Sequence, residues 1–158
     1  MTGGGPLGAL EASGLGQAMR QWLWLYPSVE IVHIAGIGLL FGSIAVLDLR
    51  LLGFSKSISA KDLAKHVLPW TAASFLLIVP SGLAMFVGYA GDLIANPVFA
   101  LKICLILCAG ANAAVFHAGA FRGAASWDAG VLPPAAARAA GAASLALWAS
   151  VVTCGLLL

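Results

Sequence analysis

Four long apolar stretches, separated by short polar segments, take up most of this 158-residue sequence. Hydrophobic residues make up 61% of the chain and charged residues 9%, whereas a soluble domain carries about a quarter charged residues. A membrane-spanning helix needs about 20 mostly apolar residues, and each stretch meets that length. The sequence therefore predicts an all-α, integral membrane four-helix bundle. Residues 17–158 form its single domain, with spans at 28–52, 63–89, 98–121 and 135–157.

The segment before the first span divides into two parts. Residues 1–16 are rich in glycine and alanine and predict a flexible start, and they lack the basic residues that open a signal peptide. Residues 17–26 carry Trp22 and Trp24, and aromatic residues next to a span mark the membrane–water interface. We therefore expect a short interfacial helix that ends at Pro27.

Positive charges are concentrated on one side of the predicted bundle. The first and third connections, with their flanks, carry the lysines and arginines Arg50, Lys56, Lys61, Lys65, Arg122 and Arg138. The other side has only Arg20 and Lys102. Since cytoplasmic loops carry the excess of lysine and arginine, both connections are predicted to face the cytoplasm and both termini the opposite side. The net charge of +2 is too small to indicate nucleic-acid binding.

Two of the three histidines lie at matched depths near the predicted cytoplasmic surface. His66 is about three residues inside the second span and His117 about four residues from the end of the third, so each is roughly 5 Å deep. A short loop joins these spans, which predicts antiparallel neighbours. Two such imidazoles can ligate the iron of a b-type haem from opposite faces. The alternative is that His66 is an interfacial side chain and His117 caps its helix.

The third histidine, His33, lies near the opposite surface. Glu30 precedes it by one helical turn, and Met85 on the second span is at a similar depth, which allows a haem held by His33 and Met85. Lys102 enters the third span at the same level, and buried charges in lipid tend to pair. We therefore predict a polar cluster of Glu30, His33 and Lys102, either structural or serving as a quinone or proton site.

Other polar and small residues within the spans require partners. Asp48 and Arg50 close the first span, where they predict a local ion pair, and Arg50 is alternatively the partner of a haem propionate. Asn112 lies in the middle of the third span and needs a hydrogen bond from another helix. Gly38 and Gly42 form a small-residue motif that lets helices, a flat cofactor or a second copy of the chain approach closely.

Several short motifs together resemble an uncharacterised family of small four-helix bacterial inner-membrane proteins. These motifs are residues 24–27 (WLYP), Glu30 to His33, residues 47–53 (LDLRLLG), residues 66–70 (HVLPW) and Lys102 to His117 with Asn112. The resemblance covers nearly the whole chain and implies the fold and the bacterial inner membrane, but no activity. It departs after Cys154, where a polar closure is expected, and an apolar end at Leu158 predicts that the natural chain continues. More loosely, the layout is similar to that of four-helix b-type cytochromes.

The leading hypothesis is a membrane electron-transfer protein that binds haem b through His66 and His117. His33 would then be a second ligand or a group facing quinone, and electrons would pass between quinone and a redox partner protein. One alternative is a redox-silent accessory subunit that packs against a larger complex through glycine- and alanine-rich surfaces. Another is a membrane protein that handles copper or another metal through the same histidines.

Overall fold

The computed structural model describes residues 5–158, and helices make up 83% of them, with no strand in that range. In chain order these are α1 (Pro6–Glu11), α2 (Gly14–Gln21), α3 (Leu25–Leu52), α4 (Ala60–Gly88), α5 (Ala90–Ala95), α6 (Pro97–Ala118) and α7 (Ala135–Leu156), with a 3₁₀ helix at Ala120–Ser126 between the last two. The helices α3, α4, α6 and α7 are long and apolar enough to cross a membrane. The predicted all-α, four-helix membrane bundle is confirmed, and its outer faces contact lipid.

The four spans begin and end within a few residues of their predicted limits because capping residues set them. Ser59 caps α4 by accepting a hydrogen bond from the Asp62 amide at 3.1 Å, and Asn96 caps α6 in the same way. Gly53 ends α3 in the left-handed conformation, with φ of 104°, which a side chain would disfavour. The third span ends at Ala118, three residues earlier than predicted, since Gly119 follows it with a non-helical backbone.

The amino-terminal segment differs from the flexible start predicted for residues 1–16. Pro6 at the first helical position begins α1, and Ser13 caps α2 through the Gly16 amide at 3.1 Å. The predicted interfacial helix corresponds to α2 and ends at Gln21, before the exposed aromatic residues. Residues 1–4 lie outside the described part of the chain.

Polar contacts tie this segment to the rest of the bundle. Arg20 donates to the Glu11 carboxylate and to the Gly88 carbonyl, both at 3.3 Å. The other oxygen of Glu11 accepts from the Gly91 amide at 2.7 Å. Met19 is buried against Gly88. A Cβ added to Gly88 would lie 3.1 Å from the Cβ of Met19. Helices α1, α2 and α5 therefore form one end of the bundle, which we call the amino-terminal end.

The spans pack in the order α4, α3, α7, α6. Helix α3 packs against both α4 and α7, and α6 packs against α7, whereas α4 and α6 make no direct backbone contact. The second and third spans, predicted to be antiparallel neighbours, are therefore separated at the backbone level. Close backbone approach occurs where glycine permits it, at Gly36 of α3 against α4 and at Gly141 of α7 against α3. The stacked rings of Phe86 and Phe99, 5.9 Å apart, join α4 and α6 near the amino-terminal end.

The opposite end of the bundle, which we call the loop end, contains the connection between α3 and α4 and the connection between α6 and α7. Arg50 and Asp128 join these two connections. The buried Arg50 guanidinium donates to the carbonyls of Ile58, Lys56 and Asp128, at 2.6 Å for Ile58. The Asp128 carboxylate accepts from the Ser59 hydroxyl at 2.8 Å, at the start of α4. A carboxylate there is also favoured by the positive end of the helix dipole.

This capping contact should make stability depend on pH. Partial burial of Asp128 opposes its ionisation, but hydrogen bonds from Ser59, Lys61 and Ala60 and the charge of Lys61 outweigh burial and hold its pKa below the ordinary value of 3.8. A carboxyl with a depressed folded pKa stabilises the fold above its unfolded pKa, and that stabilisation disappears as pH falls through the folded pKa. We expect Asp128→Asn to unfold at a lower temperature than wild type at neutral pH, with the gap narrowing below about pH 4.

Thermal unfolding of the detergent-solubilised protein, followed by circular dichroism between about pH 6 and pH 3, measures this gap. Asp92→Asn removes an exposed carboxylate from α5 and serves as the control. A gap that stays constant over the whole range would show that the Asp128 charge does not cap α4.

Candidate functional site

The imidazole of His33 lies against α4, and its Nδ1 atom forms hydrogen bonds with that helix. Its Nδ1 lies 3.1 Å from the Ile78 carbonyl oxygen and 2.9 Å from the Ser81 hydroxyl oxygen. The Ser81 hydroxyl has one proton, which it donates to the carbonyls of Leu77 and Ile78 in its own helix. Its oxygen therefore acts as an acceptor toward His33. Since both partners of Nδ1 accept, this nitrogen carries the proton. The neutral imidazole then presents the lone pair of Nε2.

Glycine at position 82 provides the surface on which the His33 ring lies. A Cβ on Gly82 would be 3.0 Å from Cε1 of His33, which is closer than ordinary side-chain contacts allow. The preceding Pro80 lies inside α4 and has no amide proton, so it interrupts the hydrogen bonds of the helix at this level. The ring is thus seated on an irregular part of α4 and fixed by two hydrogen bonds.

The polar cluster predicted around His33 includes two charged side chains, Glu30 and Lys102, neither of which hydrogen-bonds to the imidazole in the described chain. Glu30, one turn before it, and Lys102 of α6 both act on the imidazole electrostatically. Lys102 extends toward the carboxyl end of α7, where its Nζ lies 3.4 Å from the position of a Cβ on Gly155. That end carries the negative pole of the helix dipole, which favours a cation. Within residues 5–158 neither Glu30 nor Lys102 forms a salt bridge, so the cluster of these residues with His33 stays a prediction.

His66 lies on the outward surface of α4. Its side chain is exposed, and it is not among the residues that line the cavity between the spans. At about 100° per residue, His66 is roughly 140° to 180° around the helix from Leu68, Thr71 and Phe75, which do line that cavity. Its side chain therefore points toward lipid headgroups or solvent.

His117 points inward at the loop end. Its Nδ1 lies 2.8 Å from the Ala113 carbonyl, one turn earlier on α6, so here too the lone pair of Nε2 is free in the neutral ring. The imidazole packs against Phe116 and Phe121, with ring centroids 5.2 and 5.3 Å away. Because His66 and His117 face different surroundings, the structure does not bring the predicted haem ligands together.

A cavity of about 180 Å³ occupies the space where α4 and α6 part. All four spans contribute to its wall, and the polar lining residues are Asp48, Thr71, Asn112, His117 and Ser144. The hydrogen bond predicted for Asn112 is present, from its side-chain amide to the Ala140 carbonyl of α7 at 3.0 Å. Sequence reasoning overlooked Ser144 and gave Asp48 a different role. The sequence did contain a signal for this role of Asp48, because a carboxylate four residues inside an apolar span needs a partner.

The remaining predicted residues have other surroundings. Arg50 contacts backbone carbonyls and forms no ion pair with Asp48, since two residues on a helix lie about 200° apart. Met85 lies half-buried on α4, one turn beyond Gly82, against which the His33 ring packs. A groove of about 350 Å³ runs along the outer face of α3 and α4 and includes Ser81, which hydrogen-bonds to His33.

The donor set restricts the kinds of metal site that are compatible with the fold. Within residues 5–158 no group of three or more histidine, cysteine, aspartate or glutamate side chains is arranged to hold a metal ion. The sequence matches no protein-family model, and no curated protein or solved structure is significantly similar to it. The chemistry of the site must therefore be argued from its own residues.

Proposed function

We propose that this protein is an electron-transfer protein of the bacterial inner membrane and binds b-type haem, with Nε2 of His33 as an iron ligand. The proposal rests on the hydrogen bonds that Nδ1 of His33 forms with α4. Histidines that bind a metal almost always donate their other ring proton to a carbonyl, carboxylate or water, which sets the tautomer and the ring orientation. His33 has this arrangement through Ile78 and Ser81.

The number of available donors favours haem over a bare metal ion. A copper or zinc site built from protein side chains needs about three or four ligands, and none of that size is formed by the described residues. Haem supplies four nitrogens itself, so one or two axial side chains suffice. Met85, one turn beyond Gly82 on α4, would be the second side chain to hold the haem, and Lys102 would supply positive charge for its carboxylates.

Two further parts of the proposal concern partners and orientation. The groove along α3 and α4 opens to the lipid phase next to Ser81 and His33, which supports quinone as the group that exchanges electrons with the haem, and a partner protein would complete the transfer. The excess of lysine and arginine at the loop end supports a cytoplasmic location for that end. The amino-terminal end, with His33, would then face the periplasm.

The test is the dithionite-reduced minus oxidised optical spectrum of purified, haem-supplemented protein. We expect wild type to show the sharp α-band of a b-type cytochrome, and His33→Ala to lose it because the iron loses its fixed ligand. Gly82→Ala should weaken or shift the band, since a methyl group there displaces the imidazole. His66→Ala is the matched control and should retain the full band, because His66 points away from the bundle.

Other spectra would redirect the interpretation. A band lost in both His66→Ala and His117→Ala but retained in His33→Ala would restore the pair predicted from sequence depth and refute His33 as the ligand. A flat spectrum from folded wild-type protein would refute haem binding altogether. A search for a larger complex that contains this chain as an accessory subunit would then follow.

A further inference from the structure

We propose that the central cavity between the four spans binds a small organic ammonium ion, with Asp48 as the counter-charge. This site is separate from the His33 cluster and does not depend on haem binding. Asp48 is only 5% exposed, and its Oδ2 atom has no hydrogen-bond partner within the described chain. A buried charge without a partner is costly in a membrane, which points to a cation that the cavity is built to receive.

The neighbouring cation cannot fill this role. Arg50, two residues along α3, lies about 200° around the helix from Asp48 and forms no salt bridge with it. Its Nε and Nη2 atoms donate to the loop carbonyls, and its buried Nη1 has no partner within the described chain. No lysine or arginine is among the residues that line the cavity. Ser144 lines the cavity together with Asp48, and Oδ2 of the buried Asp48 carboxyl group has no hydrogen-bond partner within the described chain. The Asp48 carboxyl group is therefore not paired with a cation of the described chain.

The other polar groups in the cavity offer acceptors as well. The amide nitrogen of Asn112 is committed to Ala140 of α7, so its carbonyl oxygen remains available. The Nδ1 proton of His117 is committed to Ala113, so a lone pair on Nε2 remains. A ligand that pairs with Asp48 and also donates to one of these acceptors must bring more than one N–H donor, as a primary ammonium group does.

Aromatic side chains and the cavity size specify the rest of the ligand. Phe75, Phe116 and Trp148 line the cavity, and aromatic rings attract cations through their faces. The volume of about 180 Å³ is comparable to the roughly 150 Å³ of an apolar protein cavity known to hold benzene. An ammonium ion that carries one aromatic ring or a short branched alkyl group fits this space.

Isothermal titration calorimetry on the full chain in detergent tests the proposal with 2-phenylethylammonium as the probe. The neutral alcohol 2-phenylethanol has nearly the same shape and measures binding without charge. We expect the ammonium to bind at least about tenfold more tightly than the alcohol, and Asp48→Asn to remove that preference. Asp62→Asn is the control, because this side chain is 76% exposed on the surface of α4.

A second variant blocks the cavity without touching Asp48. Gly110 lines the cavity, and a Cβ there would meet no atom within 4 Å, so Gly110→Leu should fill the space and abolish binding. Gly38→Leu adds the same side chain at an open position outside the cavity and should bind as wild type does. Equal binding of ammonium and alcohol by wild type, or unchanged ammonium binding in Gly110→Leu, would overturn the proposal.

Discussion

Replacing Gly36 with leucine is expected to destabilise the protein by about 3 kcal/mol and to lower its unfolding temperature by about 10 °C. A Cβ on Gly36 would lie 2.8 Å from Cγ1 of Ile78 and 3.0 Å from Cβ of Leu77, so α3 and α4 would have to separate. Packed helix interfaces cannot absorb such a shift without losing contacts along their length. Circular dichroism of the detergent-solubilised variant during heating measures the effect.

Gly38→Leu is the matched control for this change. Gly38 is exposed on the same helix, and an added Cβ there would meet no atom within 4 Å. We therefore expect it to unfold within a degree or two of wild type. If the Gly36 and Gly38 variants were equally stable, α3 and α4 could not be as close at this level as the structure has them. The result also bears on His33, because its partner Ile78 would move with α4.

Replacing Arg50 with alanine is expected to produce a loss of similar or larger size, about 3–5 kcal/mol. The side chain is only 1% exposed and joins α3 to both connections at the loop end through the carbonyls of Ile58, Lys56 and Asp128. Removing it leaves these carbonyls without their charged donor and opens a cavity beneath the loops. Thermal unfolding measures the loss, and limited proteolysis should show earlier cleavage in residues 53–59.

Arg50→Lys separates geometry from charge in this experiment. A lysine keeps the positive charge but lacks the planar set of donors that spans several carbonyls, so we expect most of the loss to remain. Arg122→Ala removes an exposed charge from the same end and should be nearly neutral. A lysine variant as stable as wild type would mean that charge alone, and not the bridging guanidinium, holds the loop end.

Much of the fold could be predicted from the sequence because membrane insertion depends on local composition. Apolar runs of sufficient length become helices in lipid, where every backbone polar group must be bonded within its own segment. Caps such as Ser59 and Asn96 act within a few residues, so they also set the helix limits near their predicted positions. Helix α1 was not predicted, because its position depends on contacts that are distant in sequence, such as that of Glu11 with Gly91.

The candidate site was predictable only in part. The cluster of Glu30, His33 and Lys102 stays a prediction, which rests on the depth of each residue along its span and on the tendency of charges in a membrane to pair. The pairing of His66 with His117 also rested on depth, but it required both side chains to face the same space. Depth does not determine which side of a helix faces its neighbours, and His66 proved to face outward.

By itself, the sequence determined the class of fold, the number of spans and the level of each polar residue, because these depend on hydropathy and on local caps. Only the tertiary structure decided the packing order α4, α3, α7, α6, since that order depends on where Gly36 and Gly141 allow backbones to meet. The packing order in turn leaves the space between α4 and α6 open. It therefore decides that Asp48 faces a cavity, while Arg50, only two residues later, holds the loops.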